Sequence, residues 1–215
     1  MKIMLDCSPA KIMEYRDRYN FDFWQLRTPL TSYARSDVPY GLDNGCFKNF
    51  DERSWLRLVA EAETDRPVFV TLPDIVGDAR RTKELFDVFK YKVGEVPLGL
   101  VLQDGIANVD IDWQQVAAVF IGGSDNFKIA PEAFAAAKTA KMLGKWVHVG
   151  RVNTAARVAN WMGIADSIDG SGISRFDQML EDVLKAITQA GKQTDLFDEV
   201  KGVDVVRCAE SQKGK

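Results

Sequence analysis

The stretch Asp166-Ser-Ile-Asp-Gly-Ser-Gly-Ile-Ser-Arg-Phe176 decides how the rest of the chain is read. An apolar lead-in, Gly163-Ile164-Ala165, delivers the backbone to Asp169. Gly170, Ser171 and Gly172 supply a flexible turn, and a helix is expected next, with Ser174 as its cap. Ile173, Phe176, Met179, Leu180, Val183 and Leu184 recur at helical spacing and predict its buried stripe. An acid at a strand tip, followed by a glycine-rich turn and a helix, is where α/β proteins place their chemistry. Taken alone, Asp169 reads as a turn cap. The other strand ends decide.

Working outward, the same pattern repeats. Lys2–Asp6 reads as a strand, and Ser8-Pro9 opens a helix to about Tyr19, with Pro9 in its first turn. Phe21–Leu26 is a second strand, Arg27–Pro39 a polar loop, and Tyr40–Asp43 a very short third strand. Asp51 caps a helix carrying Trp55, Leu56, Leu58, Val59 and Ala62 on one face. Pro67–Leu72 is an apolar strand ending at Pro73-Asp74. Asp78 starts a helix with Leu85, Val88 and Phe89 inward. Pro97–Leu102 ends at Gln103-Asp104-Gly105, and a short helix is expected over Asp112–Val116. Ala118–Ile121 ends at Gly122-Gly123-Ser124, Ala130–Leu143 is an Ala-rich helix, and Lys145–Val149 ends at Gly150-Arg151. Thr154–Met162 is helical, Ser167–Asp169 is the last strand, and Arg175–Ala190 the last helix.

Eight apolar strands alternating with helices predict parallel strands buried on both faces. The count points to an α/β fold, a compact (β/α)8 TIM barrel, with a doubly wound open sheet as the alternative. Residues 1–190 are read as one domain and 191–215 as a polar tail. The chain has 215 residues, is 46% hydrophobic and 27% charged, and carries a net charge of −3. That composition excludes a whole-molecule basic field for gripping nucleic acid and leaves room for a local patch. No apolar run is long enough to cross a bilayer, and Met1–Asp6 lacks a signal-peptide core, so the expected location is the cytosol, without membrane contact. Cys7, Cys46 and Cys208 are unpaired in spacing, and with His148 as the one histidine no metal site and no cofactor are expected.

In a barrel the C-terminal strand tips converge on one mouth. Here they carry Asp43, Asp74, Gln103-Asp104, Gly122-Gly123, Gly150-Arg151 and Asp169. Carboxylates gathered around one mouth suit a nucleophile, an acid/base and an acceptor for ligand N–H groups, or oxygen ligands for a hard cation. Each also reads as a helix or turn cap, which fits Asp51 and Asp78 better than Asp43 and Asp74. Lys48, Arg80, Arg81, Lys128 and Arg151 stand near strand ends, either as a basic rim or as solvated charges. His148 reads as a packed core residue.

These tips bring a family into view. Asp43-Asn-Gly-Cys-Phe47 resembles the Asp-Ser-Gly-Gly-Phe segment of the tRNA-guanine transglycosylases. Leu72-Pro73-Asp74 is similar to the family's next acid, Val101-Leu-Gln-Asp-Gly105 to its Val-Gln-Gly with Asp104 as an extra residue, Ile121-Gly122-Gly123 to its Ile-Gly-Gly, and Val149-Gly150 to a Gly-containing strand end. Asp166-Ser-Ile-Asp169 is similar to its Asp-x-Phe-Asp. The matches keep the family's order over roughly residues 40–176. Short length and the Pro73–Asp78 run resemble a smaller branch, which includes phage and bacterial enzymes that insert 7-deazaguanines into DNA. The family's Cys-x-Cys-x-x-Cys…His zinc subdomain is missing, Cys46 stands for a Gly and Asn44 for a Ser.

The resemblance implies exchange of guanine in a polynucleotide, DNA rather than tRNA, for a 7-deazaguanine base, through a covalent glycosyl ester on Asp169. It implies Asp43 as acid/base and Asp74 as acceptor for the purine N1–H and amine. Gln103 and the N–H groups around Gly122 and Gly123 would meet the purine carbonyl, with Gly150 nearby and Phe47 stacking on the base. Arg175, six residues past Asp169, would hold a phosphate. The partners would be DNA, presenting a single-stranded or flipped nucleotide, and free guanine or 7-deazaguanine. Two other readings remain. One is a barrel enzyme that cradles a small phosphorylated metabolite or nucleotide on Gly122-Gly123-Ser124 and Gly170-Ser171-Gly172. The other is a catalytically silent binding subunit, which the retained Asp43 and Asp169 disfavour.

Overall fold

The computed structural model describes residues 1–31, 37–47 and 49–191. Their strands are β1 (Lys2–Leu5), β2 (Trp24–Arg27), β3 (Tyr40–Leu42), β4 (Val70–Thr71), β5 (Leu98–Leu102), β6 (Ala118–Ile121), β7 (Trp146–Val149) and β8 (Ser167–Asp169). Every neighbouring pair is parallel, and β8 returns to β1 through Lys2↔Ser167, Ile3↔Ile168 and Met4↔Asp169. That last pairing closes the barrel and excludes the open doubly wound sheet.

The helices are α1 (Pro9–Tyr19), α2 (Glu52–Asp65), α3 (Ala79–Phe89), α4 (Pro131–Met142), α5 (Ala155–Trp161) and α6 (177–191). Side-chain caps start most of them. Ser8, Asp51, Asp78 and Thr154 accept from the backbone N–H of Lys11, Ser54, Arg81 and Arg157. Each bond satisfies one of the orphan donors of a first turn. Between β5 and β6 the chain makes only two short 3-10 turns, Ile106–Asn108 and Trp113–Gln115.

The last helix corrects the sequence reading. Residues 171–175 form a turn, and α6 begins at 177 rather than at Arg175. Ser174 is not its cap. The Ser174 hydroxyl accepts from the Asp6 N–H at the tip of β1. Ile173, Leu180 and Val183 are buried as expected, but Phe176 is 59% exposed. Val88, expected inward on α3, is 56% exposed. The buried stripe of α3 runs through Ala79, Thr82, Phe86 and Phe89, and at helical spacing that leaves Val88 on the outer face. Of the tail expected at 191–215, Gly191 closes α6 and the rest lies outside the described residues.

Side chains alternate across each strand, so one parity faces the helices and the other the barrel interior. Ile3, Leu5, Leu42, Val70, Leu100, Leu102, Val119, Ile121, Val147, Val149 and Ile168 belong to the outer core with the helices. Met4, Leu26, Phe69 and Ala118 form a separate inner cluster, packed against Trp24, Phe120 and Trp146. The indoles of Trp24 and Trp146 stack across the base of the barrel, centroids 5.5 Å apart. Gly41 is the inward position of β3 because Phe69 fills its space. A Cβ there would lie 2.3 Å from the Phe69 ring.

Candidate active site

Continuing the inward parity past each strand gives the floor of the mouth. Met4 leads to Asp6, Leu26 to Thr28, Gly41 to Asp43, Val101 to Gln103, Phe120 to Gly122, His148 to Gly150 and Ser167 to Asp169. All seven tip residues line one cavity of about 440 Å³, within the roughly 300–1,000 Å³ usual for small-molecule sites. Asp74, Phe47, Gly123 and Arg175 line it as well, so every site residue expected from sequence meets there. Of the expected basic rim, Lys128 and Arg151 line the cavity. Arg80 pairs with Glu84 on the surface of α3. Arg81 is exposed on the same helix, and Lys48 lies outside the described residues.

Asp43 extends from β3, its Oδ2 accepting from the Gly45 N–H at 3.2 Å. Burial pushes its pKa from the usual 3.8 to about 7, and the charges of Asp169 and Asp74 add to the rise. A desolvated carboxyl beside like charges holds its proton. Asp74 is also raised, chiefly by burial, against the hydrogen bonds of Asn44, Gln103 and Cys46. Asn44 is buried and donates its Nδ2 to Asp74 Oδ1 at 2.9 Å and to the Leu72 carbonyl. Gln103 donates to Asp74 Oδ2 and accepts from the Gly77 N–H. The amide of Gln103 is therefore engaged in fixing Asp74.

Asp169 Oδ1 accepts from His148 Nε2 at 3.1 Å and from the Arg151 N–H at 3.2 Å. Its Oδ2 has no hydrogen-bond partner among the described residues. Arg151 takes a left-handed backbone, φ 60°, uncommon for a residue with a Cβ, at the point where its N–H reaches Asp169. Gly150 lets this happen. A Cβ there would lie 2.6 Å from the Phe120 ring and 3.3 Å from Asp169 Oδ1. The Gly150 N–H and carbonyl are both used, by Ile121 and by Lys128 Nζ. Gly122 likewise donates to the Leu102 carbonyl. Of the two glycines expected to meet a carbonyl, Gly123 alone keeps an N–H without a partner among the described residues.

The cationic side of the cavity is built by Lys128, Arg151 and Arg175. Lys128 is buried, and its Nζ donates to the Gly150 carbonyl at 2.7 Å. Burial and then Arg151 push its pKa down to about 8, with Asp169 pulling the other way. The Arg151 guanidinium bonds the Gly123 carbonyl and sits 4.7 Å over the Phe47 ring. Phe47 is 63% exposed at the rim. The Gly122-Gly123-Ser124 turn is not an open anion cradle, because Ser124 gives both its N–H and its hydroxyl to Asp104. Among the described residues, no group of three His, Cys, Asp or Glu side chains could hold a metal ion. No helix among them is long and apolar enough to cross a membrane.

Sequence reasoning missed Asp6, Asn44 and the contact of His148 with Asp169. Asp6 shares the inward parity of Met4 and ends its strand, a signal that was legible. Its pKa is raised, first by burial and then by Asp169, while Thr31 and Arg175 oppose. Asn44 follows Asp43 directly, but its reach to Asp74 depends on how β3 and β4 pair. His148 is buried as expected, yet it also touches the carboxylate.

Fold and site together define a parallel eight-stranded α/β barrel whose mouth gathers four carboxyl groups, Asp6, Asp43, Asp74 and Asp169, against a cationic wall. The chain matches no family model and no curated protein.

Proposed function

We propose that this chain is a base-exchanging glycosyltransferase that replaces guanine in a polynucleotide, DNA in preference to tRNA, with a 7-deazaguanine. The likeness of the strand tips to the tRNA-guanine transglycosylases motivates the reading. The observation that carries it is the convergence of Asp43, Asp169 and Asp74 on one cavity, where burial beside the other two acids raises the Asp43 pKa to about 7. Asp169 Oδ2 bonds to the anomeric carbon as the carbon–nitrogen bond to the purine breaks, and the departing base takes the Asp43 proton. The incoming base returns a proton to Asp43, and its nitrogen displaces the ester. Two inversions give retention. Asp74, held by Asn44 and Gln103, accepts from the purine N–H groups, and Gly123 donates to its carbonyl. Lys128, Arg151 and Arg175 suit the nucleotide phosphates, and Phe47 offers a stacking face. The target nucleotide enters flipped or single-stranded. The free thiols of Cys7 and Cys46 suit a cytosolic location.

The test incubates the protein with radiolabelled guanine and, separately, single-stranded DNA, duplex DNA or tRNA, and scores label retained in polymer. Label in DNA that disappears with Asp169→Asn supports the reading. A chain that labels no polynucleotide, or an Asp169→Asn variant with full exchange, sinks it. The second reading, a small phosphorylated ligand, is favoured by the cationic wall alone. Saturable binding of a free nucleotide without base exchange would select it.

A further inference from the structure

The cavity floor hides a chain of hydrogen bonds that the reaction described above does not use. Trp146 Nε1 lies 2.8 Å from Ser167 Oγ, Ser167 Oγ lies 2.8 Å from His148 Nδ1, and His148 Nε2 lies 3.1 Å from Asp169 Oδ1. The register explains the meeting. His148 pairs directly with Ser167 across β7 and β8. Asp169 stands two residues beyond Ser167, on the same inward face. Ser167 and His148 are fully buried, and the imidazole packs between Phe69 and Phe120, with centroids 5.1 and 4.6 Å away.

The direction of each bond follows from what each group can give. An indole nitrogen only donates, so Ser167 Oγ must accept from Trp146. Ser167 then has one proton to place, and the unprotonated Nδ1 of His148 is its acceptor. A proton on Nδ1 would leave the serine hydroxyl without an acceptor in a site closed to water, at a cost of roughly 1–3 kcal/mol. With Nδ1 bare, the ring proton sits on Nε2 and points at Asp169 Oδ1. Every donor and acceptor in the chain is then satisfied, and the order runs one way, from indole to carboxylate.

We propose that His148 is a positioning residue, held by Trp146 and Ser167 as the Nε2–H tautomer, whose N–H fixes Asp169 Oδ1 and leaves Oδ2 as the attacking oxygen. The inference rests on the reading of Asp169 as the nucleophile. Two donors, His148 Nε2–H and the Arg151 N–H, converge on one oxygen of the carboxylate. They stop rotation about the terminal torsion that would exchange the two oxygens. Neither donor takes part in making or breaking a bond to the sugar.

The chain has one histidine, so its ring gives a single set of signals in nitrogen-15 NMR of the labelled wild-type protein. The expected pattern is a protonated Nε2, an unprotonated Nδ1 and an exchange-protected Hε2 that shifts in Asp169→Ala. A proton on Nδ1, or an Hε2 indifferent to Asp169→Ala, overturns the proposal whatever the protein's substrate. The kinetic arm measures formation of the covalent adduct on the polynucleotide substrate. His148→Phe keeps a ring between Phe69 and Phe120 and removes the donor. It is expected to slow adduct formation roughly tenfold to a hundredfold, as removal of a partner behind a reacting group does, with KM for the polynucleotide unchanged. His148→Gln keeps an N–H at the Nε2 position and recovers most of the rate. Wild-type speed in a folded His148→Phe variant overturns the proposal. If His148→Phe does not fold, the wild-type spectrum decides. A wild-type chain that forms no adduct removes the transglycosylase reading and leaves the tautomer to be judged by the spectrum.

Discussion

Replacing Asp43 by Asn is predicted to make the protein more stable and inactive at once, with a pH dependence that follows from the cavity. Burial beside Asp169 and Asp74 lifts the Asp43 pKa from 3.8 to about 7. Between those values the unfolded chain has released this proton and the folded chain still holds it. The folded state therefore binds more protons, and stability falls as pH rises through the window. Over about three pH units at roughly 1.36 kcal/mol each, the loss is about 4 kcal/mol, complete above pH 7. An asparagine carries no such proton. Urea melts of wild type and Asp43→Asn at intervals from pH 4 to pH 8 measure it directly. The stability of the variant relative to wild type should grow by about 4 kcal/mol across the series and level off above pH 7. A difference that stays flat, or that favours wild type as pH rises, would mean Asp43 ionises like an exposed carboxyl. It could then not serve as an acid near neutrality, and the division of labour between Asp43 and Asp169 would fail. The companion rate measurement has the same midpoint. Cleavage of the sugar–base bond should fall about tenfold per pH unit above 7, as the protonated fraction of Asp43 does.

Asp169→Asn should fold normally, because its remaining carbonyl oxygen still accepts from His148 and Arg151. It should form no covalent adduct on denaturing gels, and a melting temperature far below wild type would show that the carboxylate is structural instead. Gly150→Ala should cost about 1–3 kcal/mol in urea melts, the usual range for overpacking, since its Cβ meets the Phe120 ring at 2.6 Å. An unchanged midpoint would mean Phe120 has room to move. Lys128→Met should stabilise the protein at pH 6 more than at pH 10. The folded pKa of Lys128 is depressed from 10.5 to about 8, so burying its charged form costs stability in full below about 8, progressively less as pH rises from there to 10.5, and nothing above that. The same variant should bind single-stranded DNA more weakly in a fluorescence anisotropy titration, and equal affinity would rule out the proposed phosphate contact of Lys128.

Much of the barrel was legible because parallel strands buried on both faces leave continuous apolar runs, and polar residues resume where each run ends. Asp43, Gln103, Gly122, Gly150 and Asp169 could be named for that reason alone. Strand parity would have added Asp6. Bond directions stayed hidden. Gln103 and Gly122 are at the mouth as expected, yet they also bond Gly77, Asp74 and Leu102. Those partners sit on neighbouring loops and strands whose register no local pattern reveals. His148 looked like core because it is core, and its second role exists only after β7 and β8 pair. The start of α6 was misplaced because Ser174, a good cap by type, is drawn away to the Asp6 N–H.

The two indoles at the base of the barrel give the molecule a built-in optical gauge. Trp24 and Trp146 belong to β2 and β7, and their rings lie 15° from parallel. Indoles held in one fixed arrangement contribute to the near-ultraviolet circular dichroism, which falls when specific packing is lost. Their share of that signal goes when β2 and β7 part at the base of the barrel. Followed beside the far-ultraviolet signal, it separates loss of the inner wall from fraying of the outer shell.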